Sequence, residues 1–101
     1  MSSNPYLPDP YVKHFVMADG TEMNGNIGET KINGDLWIWP SDSMTFAEAA
    51  VIFGDPNKTR AITMYYSDLE TAQYDGYTKL DLIKEDSPGK MSIRMNKPRN
   101  D

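Results

Sequence analysis

His14 is the only histidine in the chain. An imidazole can act as a general base or a metal ligand, but it needs a nucleophile or a second ligand beside it. In a strand spanning Tyr11 to Met17, His14 falls on the same side as Val12 and Val16. Nothing at a diagnostic spacing accompanies it, and no pair of histidines or cysteines stands at zinc-ligand spacing. A small hydrolase built on His14 and neighbouring acids is therefore the remotest of three functional readings. The 15 acidic residues are scattered. Asp68 and Glu70 lie near Asp75, yet the segment lacks the Asp-x-Asp-x-Asp-Gly order of a calcium loop. Pairs of carboxylates suited to glycoside cleavage are many, and spacing selects none of them. Gly20, Gly25, Gly28 and Gly34 are spread through turns, with no basic residue where a phosphate-binding loop places its lysine. Asn57-Lys58-Thr59 matches the N-glycosylation pattern, which is short and common by chance. These patterns nominate no cofactor, no metal and no catalytic set.

The aromatic residues carry the remaining signal. Trp37, Trp39, Tyr65, Tyr66, Tyr74 and Tyr77 all fall in predicted strands. Leu36-Trp37-Ile38-Trp39 is apolar on both faces, so the tryptophans point away from the side on which Leu36 and Ile38 pack. Either the strand is covered on both sides or two tryptophans face outward. Outward-facing tryptophans suit a protein interface, where aromatic anchors dominate the energy, and they also suit stacking against sugar rings. Trp37, Trp39, Tyr65, Tyr74 and Tyr77 form the candidate binding surface. The first reading is a non-enzymatic interaction module that docks a protein partner on an aromatic strand face or a free sheet edge. The second is a carbohydrate- or small-ligand-binding module using the same rings. Exposed edge strands leave a homo-oligomer open.

Composition narrows the partners. The chain carries 15 acidic against 10 basic residues, a net charge of −5. Such a surface repels phosphate backbones, which argues against nucleic acid. No stretch approaches the roughly 18 apolar residues of a membrane span. Met1-Ser2-Ser3-Asn4-Pro5 shows neither a basic nor an apolar leader region, and the chain has no cysteine. The expectation is a cytoplasmic protein.

The elements that would position these residues follow from periodicity. Ala61 to Tyr66, Thr78 to Ile83 and Met91 to Met95 alternate apolar and polar residues, the mark of half-buried strands. Residues 1–10 hold Pro5, Pro8 and Pro10 and read as an extended arm. A single β-rich domain spans residues 11–96, and residues 97–101 form a polar tail. Asp19-Gly20 predicts a two-residue hairpin that sets Val16 opposite Met23. Gly25, Asn26 and Gly28 break the return strand, and Lys31 to Trp39 resumes it. Thr45 and Glu48 fit a capping box ahead of a short helix carrying Phe46, Ala49, Ala50 and Phe53. Gly54 suits the left-handed position that ends it, and Pro56 forbids continuation. Ser67 to Glu70 reads as a turn. Thr71 to Lys84 reads as one long strand bulged at Asp75-Gly76, with a hairpin at Asp75-Gly76 as the alternative. Glu85 to Lys90 is a loop and Met91 to Asn96 a final strand. The fold class is α+β: an antiparallel sheet of about five or six strands with one short helix packed on it. The expected core is Phe15, Leu36, Ile38, Phe46, Ala50, Phe53, Ile62, Met64, Leu80, Leu82, Met91 and Ile93.

Met17-Ala18-Asp19-Gly20-Thr21-Glu22, followed by Lys31-Ile32-Asn33-Gly34, resembles an opening found in small prophage-encoded proteins of Firmicutes. There an Ala-Asp-Gly-Thr-Glu hairpin precedes a Leu-Asn-Gly strand. Thr45 to Ala50, Phe53 to Pro56 and Tyr74 to Leu80 are similar to segments of small proteins from gut bacteria and their phages. The likeness runs in short pieces through residues 17–83. Asp35-Leu36-Trp37 departs from it, replacing a more polar continuation after the Asn-Gly. The resemblance implies no particular activity. It implies a phage structural, assembly or accessory role, in the cytoplasm or within a phage particle.

Overall fold

The computed structural model describes residues 13–30, 34–41, 43–66, 71–87 and 89–98. These form β1 (Lys13–Val16), β2 (Glu22–Thr30), β3 (Asp35–Pro40), α1 (Phe46–Phe53), α2 (Pro56–Thr59), β4 (Ala61–Tyr66), β5 (Thr71–Asp75), β6 (Lys79–Ser87) and β7 (Lys90–Asn96). The strands join in one seven-stranded sheet, ordered β5-β4-β1-β2-β3-β7-β6. Each neighbouring pair is antiparallel. The α+β class agrees with the period-two alternation, but the sheet has seven strands rather than five or six. The arm expected at residues 1–10, the turn at Ser67 to Glu70 and the end of the tail at 99–101 lie outside the described residues.

The added strand comes from Thr71 to Lys84, which divides in two, whereas β2 does not break where a break was expected. It runs through Gly25, Asn26 and Gly28, and its two halves serve different neighbours. Glu22 to Asn24 pair with β1, whereas Gly25 to Thr30 pair with β3. Gly25 marks the join because nothing larger fits there. A Cβ at this position would stand 2.5 Å from the Trp39 carbonyl oxygen, 2.9 Å from Pro40 Cα and 3.0 Å from the Phe15 ring.

Thr71 to Lys84 is neither one bulged strand nor a hairpin. β5 lies at one edge of the sheet and β6 at the other, and only Gly76 to Thr78 link them. The four steps from Asp75 to Lys79 span at most about 14 Å of extended chain. The sheet must therefore curl until its edges approach at this corner, where the Gly76 N–H donates to the Arg60 carbonyl at 3.0 Å.

The inside of the curl is the core. Phe15, Ile62 and Met64 come from one half of the sheet and Leu36, Ile38, Ile93 and Met95 from the other, all without exposure. Met17, Met23, Ile27, Tyr77 and Met91 complete it with Ala49 and Phe53 of α1. Each large apolar side chain buried there stabilises the fold by about 1.5–3 kcal/mol. Three expected core members are exposed: Phe46 (47%), Ala50 and Leu82. A bulge between Leu80 and Leu82 explains the last of these. It shifts the alternation by one residue, so Leu80 and Ile83 pack inward while Leu82 turns out. Phe46 and Ala50 are exposed because α1 buries only the stripe of Ala49 and Phe53.

Several local expectations change in register. Val16 pairs with Glu22 and Phe15 with Met23, so the hairpin loop holds three residues, Ala18 to Gly20, instead of two. Gly20, at φ +93°, takes the left-handed position that such a loop requires. The capping box at Thr45 and Glu48 forms as read: the Glu48 N–H donates to Thr45 Oγ1 at 3.1 Å, and the Thr45 N–H donates to Glu48 Oε1 at 3.0 Å. Gly54 ends α1 with right-handed geometry, φ −86°. Pro56 opens a second, one-turn helix, capped by Asp55 accepting from the Asn57 N–H. Of the loop expected over Glu85 to Lys90, Glu85 to Ser87 and Lys90 are strand, because β6 runs to Ser87 and pairs it with Lys90. Among the described residues no helix is long and apolar enough to cross a membrane.

Candidate functional site

β3 lies between β2 and β7, so both of its edges are hydrogen-bonded. With Leu36 and Ile38 fully buried, alternation turns Trp37 and Trp39 onto the outer face. Their rings stack 6.4 Å apart, with 14° between their planes. Trp39 is 40% exposed and Trp37 half-buried. Arg94 faces Trp37 across β7, and its guanidinium lies 5.6 Å from that ring's centroid. Arg94 Nε donates to Asp81 Oδ2 at 2.6 Å, and this hydrogen bond holds the Asp81 carboxyl below its ordinary range. On the other side Gly28 faces Trp37 across β2. A Cβ at Gly28 would touch the Trp39 ring at 3.4 Å, so the missing side chain leaves room for the indole to lie over the backbone. The result is a ladder of Arg94, Trp37 and Trp39 ending over Gly28.

Two shallow depressions flank Trp39. One, of about 280 Å³, lies between Trp37, Trp39, Lys84, Asp86 and Ser92. The other, of about 330 Å³, lies between Trp39, Pro40, Asp86, Lys90 and Met91. Asp86 borders both, accepting from Ser92 Oγ at 2.5 Å and lying 3.8 Å from Lys84 Nζ. A third concavity, about 600 Å³ and polar, opens between Asp35, Lys79, Asp81, Arg94 and Asn96.

The five aromatic residues expected to share a surface occupy three places. Only Trp37 and Trp39 stand together. Tyr65 is exposed on the other half of the sheet and stacks on His14, with centroids 4.9 Å apart and planes 11° apart. Tyr74 is half-buried and packs against the core. Tyr77 is buried, at 3% exposure, and its hydroxyl donates to the Glu29 carboxylate. Burial, reinforced by neighbouring groups, pushes both phenols up to about 12; those groups are chiefly Tyr66 for Tyr74 and Glu29 for Tyr77. His14 Nε2 stands 3.9 Å from Glu22 Oε1, beyond hydrogen-bond length. Among the described residues no three His, Cys, Asp or Glu side chains converge as a metal site.

Sequence reasoning did not single out Arg94 or Asp81, and it read Gly28 as a break where β2 in fact continues. Arg94 is readable as an outward residue between Ile93 and Met95, but its place opposite Trp37 depends on the β3–β7 pairing, which no local pattern encodes. In comparisons with known protein families, curated proteins and solved structures, the chain matches none.

Proposed function

We propose that this protein is a non-enzymatic interaction module that docks a protein partner on the outer face of β3. The observation that carries the reading is the stacked pair of indoles on a strand bonded along both edges. A central strand presents its side chains without further ordering, so little entropy opposes their use as anchors. Tryptophan and arginine are the residue types that most often dominate interface energy, and here Trp37, Trp39 and Arg94 adjoin one another. The resemblance of residues 17–83 to small prophage proteins supports a structural, assembly or accessory role in a bacterial cell or phage particle.

The test is capture of a partner on the immobilised full chain, repeated with Trp39→Ala and Trp37→Ala. An anchor of this kind is worth about 2 kcal/mol or more, so affinity falls roughly thirtyfold on truncation. A partner that binds both variants as tightly as the parent sinks the reading.

One observation favours a second reading. The near-parallel rings, with Asp86, Lys84 and Ser92 around them, combine the apolar face and polar rim that a carbohydrate or other small ligand uses. Glycan-array binding that vanishes in Trp39→Ala supports that reading. Silence across the array counts against it.

A further inference from the structure

The two indoles of β3 are held from both sides by features that weaken the sheet. Gly28 lies in the interior of β2, where glycine lowers strand stability and often marks the close approach of another group. Its φ is not among the positive ones, unlike that of Gly25, so the backbone does not call for glycine here. What calls for it is space. Register gives Trp39 the partner Asn26 and Gly28 the partner Trp37. The Trp39 ring leans away from its own partner and over Gly28, where a Cβ would stand 3.4 Å from Cζ3 and 3.7 Å from Cη2. That lean lays it against Trp37, with 14° between the two planes.

On the other flank β6 carries one extra residue. Leu80 pairs with Met95 and Leu82 with Arg94, so Asp81 between them has no partner of its own in β7. A bulge of this kind interrupts the ladder and re-aims the side chain it carries. Here it brings the Asp81 carboxylate to Arg94 Nε at 2.6 Å. The Arg94 and Asp81 side chains are 34% and 32% exposed, so water only partly screens the pair. Arg94 is the cation that lies 5.6 Å from the Trp37 ring centroid. Its side chain is long and rich in rotamers, and the bond to Asp81 selects the one that covers the ring.

We infer that Gly28 and Asp81 are positioning residues of the docking face. Gly28 admits the Trp39 ring, Asp81 pins Arg94 over Trp37, and the ladder is therefore set before a partner arrives. The inference rests on the docking reading above and adds what organises the face. Both residues act through their neighbours, without contact to the partner. A side chain ordered in advance spares association part of its entropy cost, so affinity depends on the two of them. The glycine and the bulge, each a weakness in the sheet, are thereby explained by the rings they hold.

The experiment uses the full chain, whose two tryptophans are both on this face, so their fluorescence reports on it alone. Gly28→Val gives β2 a residue that strands favour, so the urea midpoint should hold or rise. The displaced Trp39 ring should nevertheless be quenched more readily by acrylamide. The partner captured on the parent chain should bind this variant roughly tenfold more weakly, because the freed ring must be ordered again on docking. Gly28→Ala, whose methyl meets the ring at 3.4 Å, should fall between the two. For Asp81 the readout is the NMR shift of the Arg94 δ-protons, which the Trp37 ring moves upfield. Asp81→Ala should return them to the ordinary arginine position and weaken the same partner roughly tenfold. Asp81→Asn keeps an oxygen that accepts from Nε and should hold both readouts near the parent. Quenching and binding unchanged in Gly28→Val, or an arginine shift indifferent to Asp81→Ala, overturns the inference. Weaker binding that comes only with a lower urea midpoint also overturns it, since the residues would then act through stability alone. A partner indifferent to Trp39→Ala removes the docking reading itself, while the quenching and the arginine shift still decide whether Gly28 and Asp81 hold the rings.

Discussion

Asp19 looks in the sequence like a turn residue, and the structure gives it a second task. Its carboxylate accepts from Lys58 Nζ at 2.5 Å and from the Thr21 N–H at 3.0 Å. The Lys58 hydrogen bond, with those from Thr21, holds the Asp19 carboxyl well below the usual carboxylate range. A depressed folded pKa means that the unfolded chain takes up this proton first as pH falls. The stabilisation is therefore complete above the unfolded value of about 3.9 and fades below it. Asp19→Asn should lower the urea midpoint at neutral pH, and the gap from the parent should close as pH falls through the ordinary aspartate range. A gap that is constant with pH contradicts the pairing. Gly25 offers a steric test. With backbone atoms at 2.5 and 2.9 Å from any Cβ, Gly25→Ala should cost about 2 kcal/mol or more. Gly20→Ala meets nothing within 4 Å and should cost only the strain of its positive φ, about 1–2 kcal/mol. Denaturant midpoints of the two variants check the order.

At the scale of elements, what could be read was what is local. The ends of β4, the core of β7 and the capping box of α1 depend on neighbouring residues alone, and they stand where alternation and capping chemistry put them. What could not be read depends on a one-residue shift. The third residue in the Asp19-Gly20 loop moves Met23 from Val16 to Phe15, and the bulge after Leu80 turns Leu82 outward. Neither leaves a mark on composition. Helix α1 shows the same limit, since helical spacing joins Phe46 and Phe53 but cannot say which of them meets the sheet. Because Phe53 is fully buried and Phe46 is 47% exposed, Phe53→Ala should cost about 3–5 kcal/mol. Phe46→Ala should cost under about 1 kcal/mol, as an exposed substitution does. Chemical denaturation of both variants decides which stripe α1 buries. Thr45→Ala should fall between them, at about 1 kcal/mol, for loss of the cap.

For the whole molecule, the tyrosines at the corner where the edges meet predict the response to alkali. Tyr77 lies in the short link between β5 and β6, and Tyr74 ends the inward row of β5. Both phenols titrate near 12 in the fold, against about 10 in an unfolded chain. The fold thus favours their protonated forms, and that stabilisation is complete below pH 10 and lost as pH climbs towards 12. Urea midpoints should fall steeply over that interval, and Tyr77→Phe should make the fall shallower even though it removes the hydrogen bond to Glu29. An equally steep decline in the variant assigns alkaline unfolding elsewhere. This corner also marks how little of the global arrangement is written locally. Period two announces that a sheet exists. The pairings of β1 with β4 and β3 with β7 join segments far apart in sequence, and Arg94 reaches Trp37 only through the second of them.

The position of β7 bears on how the molecule is made. It is synthesised after β6 yet lies between β6 and β3. By the time Asp75 leaves the ribosome, β5, β4, β1 and the first half of β2 are all present and can zip together. The other half of the sheet must wait, with the edge of β3 open and β6 without a neighbour, until residues 90–96 emerge. An unpaired edge of this kind invites association with other chains. Any chain broken off before Lys90 keeps that edge permanently, which is the feature by which a cell's chaperones and proteases could tell an unfinished copy from a finished one.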